Sequence, residues 1–173
     1  NLEDLEVEAL YFDFFHFYGT PNQVGIAGYR RAPRIIRNTI RSIAPDGLFW
    51  TVMDKNKKGR YPKAKHAGGN IYHYGHCRSV SKMAEKLKQV GRYWGSKHED
   101  FKGYGSIDIR ELRPFNRFHP AIMENWLATE AEMEFCQVPD YRVTRRDRRN
   151  RIRFWIEDTF GVEISKKHYQ ALD

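Results

Sequence analysis

The sequence predicts an α/β fold, strands first and helices after, in one domain of 173 residues. Three observations carry this. The run from Val7 to Tyr18 is almost wholly aliphatic and aromatic, which suits a strand buried on both faces. From Val80 onward the apolar residues recur at spacings of three and four, the period of an amphipathic helix. Between the two regimes, clusters of Gly, Pro, Asn and Asp punctuate short extended segments. The division falls near residue 78: 1–78 is strand-rich and 79–173 is a helical tail.

In the first strand Tyr11, Phe12, Phe14, Phe15 and Phe17 populate both faces, and Gly19-Thr20-Pro21-Asn22 turns the chain out of it. Tyr29 to Asn38 is a second extended segment. Pro33 assigns it to a sheet edge, because proline has no N–H to give to a ladder. Leu48 to Met53 is a third, followed by the charged connection Asp54-Lys55-Asn56-Lys57-Lys58-Gly59. Gly69 to Gly75 is a short fourth strand. The first helix carries Val80, Met83, Leu87, Val90 and Trp94 on one face and ends near Gly95. Asp100 to Phe118 reads as a polar loop, after which Pro120 opens a second helix bearing Ile122, Met123, Trp126 and Leu127. A third helix starts at Thr144, whose spacing to Asp147 matches a capping box. Ile152, Trp155, Ile156 and Phe160 form its apolar stripe, and Gly161 stops it.

Apolar residues make up 40% of the chain and aromatics 14%, enough for a packed core, which excludes disordered and fibrous classes. Lys and Arg number 30 against 22 Asp and Glu, a formal net charge of +8. Such a balance favours an anionic partner: nucleic acid, anionic lipid or a phosphate-bearing small molecule. Two cysteines, Cys77 and Cys136, are too few for a secreted disulfide scaffold and fit a reducing compartment. No apolar run approaches the roughly 20 residues of a membrane span. The acidic start Asn1-Leu2-Glu3-Asp4 is unlike a signal peptide.

Five segments carry chemistry. Tyr72-His73-Tyr74-Gly75-His76-Cys77 places two imidazoles and a thiol at a strand end, a set that suits either metal ligation or a strand with one buried and one exposed histidine. Phe15-His16-Phe17-Tyr18-Gly19 holds a histidine inside an aromatic strand, which reads equally as a core histidine bonded to backbone. Arg30, Arg31, Arg34, Arg37 and Arg41 lie within twelve positions, suited to gripping phosphate or to pairing with the acidic N-terminus. Arg142 to Arg153 contains seven arginines and one acid. It reads as a nucleic-acid or membrane footprint, or as the solvated face of the third helix opposite Trp155 and Ile156. In Ser42-Ile43-Ala44-Pro45-Asp46-Gly47 a lone carboxylate occupies a tight turn, fit for a general base and equally for turn geometry alone.

The order and wording of these segments resemble bacterial family-2 glycosyltransferases. The matching stretches are Phe15-His16-Phe17-Tyr18-Gly19, Tyr29-Arg30-Arg31 with Arg34-Ile35-Ile36-Arg37-Asn38, and Ile71-Tyr72-His73-Tyr74-Gly75 followed by Arg78. The resemblance covers most of residues 5 to 95, and more loosely the tail through Lys167-His168-Tyr169. It implies a partial GT-A architecture, a Rossmann-like mixed sheet followed by a helical C-terminal region. It implies an inverting transfer of sugar from a nucleotide-sugar donor to an acceptor hydroxyl, of the kind used in cell-envelope polysaccharide synthesis. Asp46 is implied as catalytic base, Arg30, Arg31, Arg78 and Tyr74 as donor and phosphate contacts, His16 and Tyr18 as the acceptor pocket, and His73 as a ligand of Mn2+ or Mg2+. The expected partners are a nucleotide sugar and a saccharide or lipid-linked acceptor, at a cytoplasmic location with peripheral contact to the inner membrane, ahead of nucleic acid. The chain has no Asp-x-Asp. The family's first strands and metal-binding acidic motif would lie upstream of Asn1, so this is expected to be the acceptor-side half, weak in nucleotide binding by itself and taking its metal only with the other half. The alternative is a basic nucleic-acid-binding or non-catalytic interaction module.

Overall fold

The structure, a computed structural model, describes residues 3–44, 49–56, 58–94, 101 and 103–172. It is a mixed α/β fold with three α-helices and a sheet containing parallel and antiparallel strands. The chain divides into two compact units: residues 1–15, 28–71 and 165–173 form the first, residues 16–27 and 72–164 the second. Two long strands, β1 (Ala9–Tyr18) and β7 (Lys63–His76), contribute to both.

In the first unit the strand order is β3-β1-β7-β9, with β3 at Arg31–Ile36 and β9 at Gln170–Ala171. The β3–β1 pairing is antiparallel and shifts register between Leu10 and Tyr11, where Pro33 faces Tyr11. Proline thus sits on an edge strand beside the bulge, where a missing N–H costs least. The β7–β9 pairing is parallel, with Lys63 opposite Gln170. Ala9, Ala64 and Tyr169 are buried together, and the rings of Tyr11 and Tyr169 stack at 4.2 Å. A separate antiparallel sheet joins β4 (Ser42–Ile43), β5 (Thr51–Met53) and β6 (Gly59–Arg60).

In the second unit the order is β8-β2-β1-β7. β2 (Thr20–Gly25) follows β1 after a single left-handed residue, Gly19 at φ +73°, so the turn is tighter than the Gly19–Asn22 stretch suggests and Thr20-Pro21-Asn22 already lies in a strand. β8 (Leu112–Pro114) pairs with β2 inside the stretch expected to be loop. β7 is twice the length expected from Gly69 to Gly75, because Lys63–Gly68 pairs in the first unit before the aromatic stretch begins.

Helix α1 (Val80–Trp94) matches its apolar period and buries Met83. Pro120 caps a 3-10 turn over Ala121–Met123, and helix α2 runs from Glu124 to Glu130; Ile122 is left exposed. Helix α3 (Arg145–Phe160) has the expected capping box, Thr144 Oγ accepting from the Asp147 N–H and Asp147 from the Thr144 N–H, and ends on Gly161 at φ +66°.

Its orientation overturns the sequence reading. The buried face is Asp147, Asn150, Phe154 and Glu157, whereas Ile152 and Trp155 are 61% and 63% exposed. Polar pairing explains the inversion. Arg151 makes a forked contact with buried Asp108 at 2.6 and 3.0 Å, Asn150 bonds buried Glu111, and Arg153 donates to the carbonyls of Ile26 and Ala27. Charged bonds of this kind hold a helix that apolar burial does not.

Candidate functional site

In the second unit, side chains alternate across β1 and β7 and sort two chemistries onto two faces. Phe17 is fully buried in an aromatic layer: Tyr74 stacks on it at 4.6 Å, Phe115 meets it edge-on at 4.9 Å, and His119 lies at 5.1 Å. Tyr74 shares a 2.8 Å hydrogen bond with His119 Nδ1 and packs against Trp126. Burial pushes its phenol up to about 12, with Cys77 and Tyr72 adding to the shift, so it stays protonated at neutral pH.

The other face carries the His16–His73 pair. His16 Nδ1 and His73 Nδ1 are 3.3 Å apart, with the rings edge to face. A nitrogen-to-nitrogen bond of this type needs one ring to donate and the other to accept, so the pair exists with at most one of the two doubly protonated. His76 lies 6.2 Å from His73 and 6.1 Å from Tyr18 between ring centres. Burial first, then the cation of Lys86 and a smaller electrostatic contribution from His73, depress His76 to about 4, so it is neutral at pH 7.

Gly75 is what lets His73 lie where it does. A Cβ at residue 75 would stand 2.6 Å from His73 Cε1, 2.7 Å from its Nε2 and 3.4 Å from Lys86 Nζ. The Cε1–Nε2 edge of His73 and the ammonium of Lys86 therefore lie within about 6 Å of each other across the glycine. Lys86 donates to the Gly75 carbonyl at 2.7 Å, and burial followed by the nearby Arg78 lowers its pKa. From there Lys86 lines a groove of about 530 Å³ with Arg78, Lys82, Glu85, Gln89 and Glu130. Lys82 is ion-paired to Glu130, which leaves Arg78 and Lys86 as the groove's cations without a carboxylate partner among the described residues.

Of the residues singled out in the sequence, His16, Tyr18, His73, Tyr74 and Arg78 fall in this unit. His16 and His73 touch; Tyr74 belongs to the aromatic layer on the other face. Arg30 and Arg31 fall in the first unit, where Arg31 pairs with Asp13 at 3.0 Å and the Arg30 carbonyl accepts from the Phe14 N–H. Their neighbours are also engaged structurally: Arg34 stacks over the Phe14 ring and bonds the Tyr29 hydroxyl, and Arg37 bonds the carbonyls of Val7 and Asp4. Asp46 lies outside the described residues. His73 was also the implied metal ligand. Its Nδ1 is taken up by His16, and among the described residues no group of three or more His, Cys, Asp or Glu is spaced for a metal ion. The described residues do not by themselves make a divalent-metal site.

Lys86 escaped the sequence reading, although a signal was there. It stands three residues after Met83 and one before Leu87, on the buried side of α1, where a lysine needs a reason to be. Cys77 is buried and its thiol is pushed up to about 12 by burial, so it is a packing residue rather than a nucleophile.

No family model, curated protein or solved structure matches the chain. Among the described residues no helix is long and apolar enough to cross a membrane.

Proposed function

We propose that this chain is the acceptor-side part of an inverting, nucleotide-sugar-dependent glycosyltransferase, with its site at His16, His73 and Lys86. The observation that carries the reading is the meeting of a proton-accepting ring edge with a cationic groove. In the tautomer in which His73 donates from Nδ1 to His16, the acceptor nitrogen of the His73 ring is Nε2, on the edge beside Gly75 and Lys86. A sugar hydroxyl placed there can give up its proton to Nε2 as it attacks the anomeric carbon, and His16 holds the resulting imidazolium in place. Lys86 and Arg78 offer positive charge to the diphosphate that leaves. Tyr18, on the strand face shared with His16, supplies a ring for the sugar to lie against.

Titration of nucleoside diphosphates and simple saccharides into the chain, followed through the ring C–H signals of His16 and His73, tests this. Weak binding on the order of millimolar is expected, with nucleoside diphosphate moving His73 and saccharide moving His16. Lys86→Met should weaken the diphosphate effect roughly tenfold, the loss of one charge-assisted contact. If neither ligand moves either ring, or the Lys86 variant responds as the parent does, the reading falls.

A further inference from the structure

Helix α3 presents to solvent the side that helices normally hide. Its inward face is fixed by ionic and polar bonds, and its outward face runs from a cationic end to an apolar one. At the cationic end Arg145, Arg146 and Arg149 line a pocket of about 480 Å³. Among the described residues no carboxylate pairs with Arg145 or Arg149, and Arg146 reaches Glu111 only at 3.9 Å. One to three turns further along, Ile152, Trp155 and Phe160 stand 61%, 63% and 67% exposed. No acidic residue lies on this outward stripe. Asp147 and Glu157 lie on the buried face of the helix, and Asp158 pairs with Arg113.

We propose that this outward face seats the chain on an anionic lipid bilayer, the phosphate of a headgroup entering the arginine pocket and the apolar side chains entering the interfacial layer. The two halves of the stripe ask for two chemistries about 20 Å end to end at a helical rise of 1.5 Å per residue. Guanidiniums suit phosphate, and an exposed indole among aliphatic side chains suits the boundary between headgroup and acyl chain. Nucleic acid would satisfy the arginines and leave Ile152 and Phe160 in water. A free phosphate would do the same. A bilayer of anionic lipid satisfies both halves at once, and the polar bonds behind the helix allow the apolar stripe to be surrendered without unfolding it. The inference stands apart from the transferase reading, since the imidazole pair and its ligand titration do not involve α3.

The test is co-sedimentation of the whole chain with vesicles of phosphatidylcholine alone and with about 30% phosphatidylglycerol added. Binding is expected only to the anionic vesicles and should weaken as salt rises. The Arg145→Ala/Arg149→Ala variant should lose roughly tenfold to thirtyfold in partitioning, at about fivefold or slightly less per cation. The Ile152→Ser/Trp155→Ser variant should lose at least about tenfold while keeping its circular dichroism, because both side chains are exposed. Equal binding to neutral vesicles, or none to either, overturns the proposal. So does binding of a random oligonucleotide that needs Arg145 and Arg149 where vesicles do not bind, which would make the face a nucleic-acid surface. So does a dimer in sedimentation that the Ile152/Trp155 variant dissociates, which would make it a contact between copies.

Discussion

At the scale of single residues, Gly75 decides the geometry of the site. It has no left-handed backbone to require glycine; what it offers is space, since a methyl there would overlap the His73 ring at 2.6–2.7 Å. A ring cannot bend away as the tip of a long chain can, so Gly75→Ala should push His73 off His16. Overpacking of this kind costs about 1–3 kcal/mol. The direct readout is the ring nitrogen signals, which should change from a hydrogen-bonded Nδ1 pair to two rings that no longer share that bond. Retention of the paired signature in Gly75→Ala would show that the ring has another seat. His16 and His73 were both legible in the sequence as imidazoles at strand positions, but not their partnership. That depends on which residues of β1 and β7 fall opposite each other, and pairing across 57 positions leaves no local trace.

At the scale of elements, what could be read was what local physics dictates. The aromatic strand β1, the period of α1, the capping box at Thr144 and the stop at Gly161 all came from neighbours in sequence. β8 and β9 were illegible because strands of two or three residues are recruited by a partner edge rather than by their own pattern. The inversion of α3 was hidden for a different reason. Periodicity identifies an apolar stripe, but says nothing of a competing polar stripe that finds buried acids to bond. Asp108 is 1% exposed, and the Arg151 guanidinium holds its carboxyl below the usual range. Arg151→Ala should therefore leave a buried, unpaired charge and cost about 3–5 kcal/mol in unfolding free energy by urea titration. Ile152→Ser, one position along on the outward side, should change stability by about 0.5 kcal/mol or less. Equal losses in the two variants would mean that α3 is held by its apolar stripe after all.

At the scale of the whole molecule, the half-buried imidazole of His76 couples stability to pH. Its folded value of about 4 lies below the ordinary 6.5, so the unfolded chain takes up a proton first as pH falls. Stability from this group is complete above 6.5 and is lost as pH falls toward 4. His119, lowered by burial, acts in the same direction, whereas Asp108 and Glu8, held low by guanidinium partners, act only at more acid pH. Unfolding free energies by urea titration at neutral pH and at about pH 5 should differ by at most about 2 kcal/mol from His76, and His76→Gln should flatten that slope. An unchanged slope in the variant would place the proton uptake elsewhere. The interleaving of the two units also bears on how the chain is made. The second unit is complete once Ile164 has left the ribosome, but the first still lacks β9 and the buried Tyr169, which close over Ala9 and Ala64. Strand β1 is synthesised long before β9 and waits for it. During that interval Tyr11 and the β7 edge lack the ring and the strand that cover them in the fold.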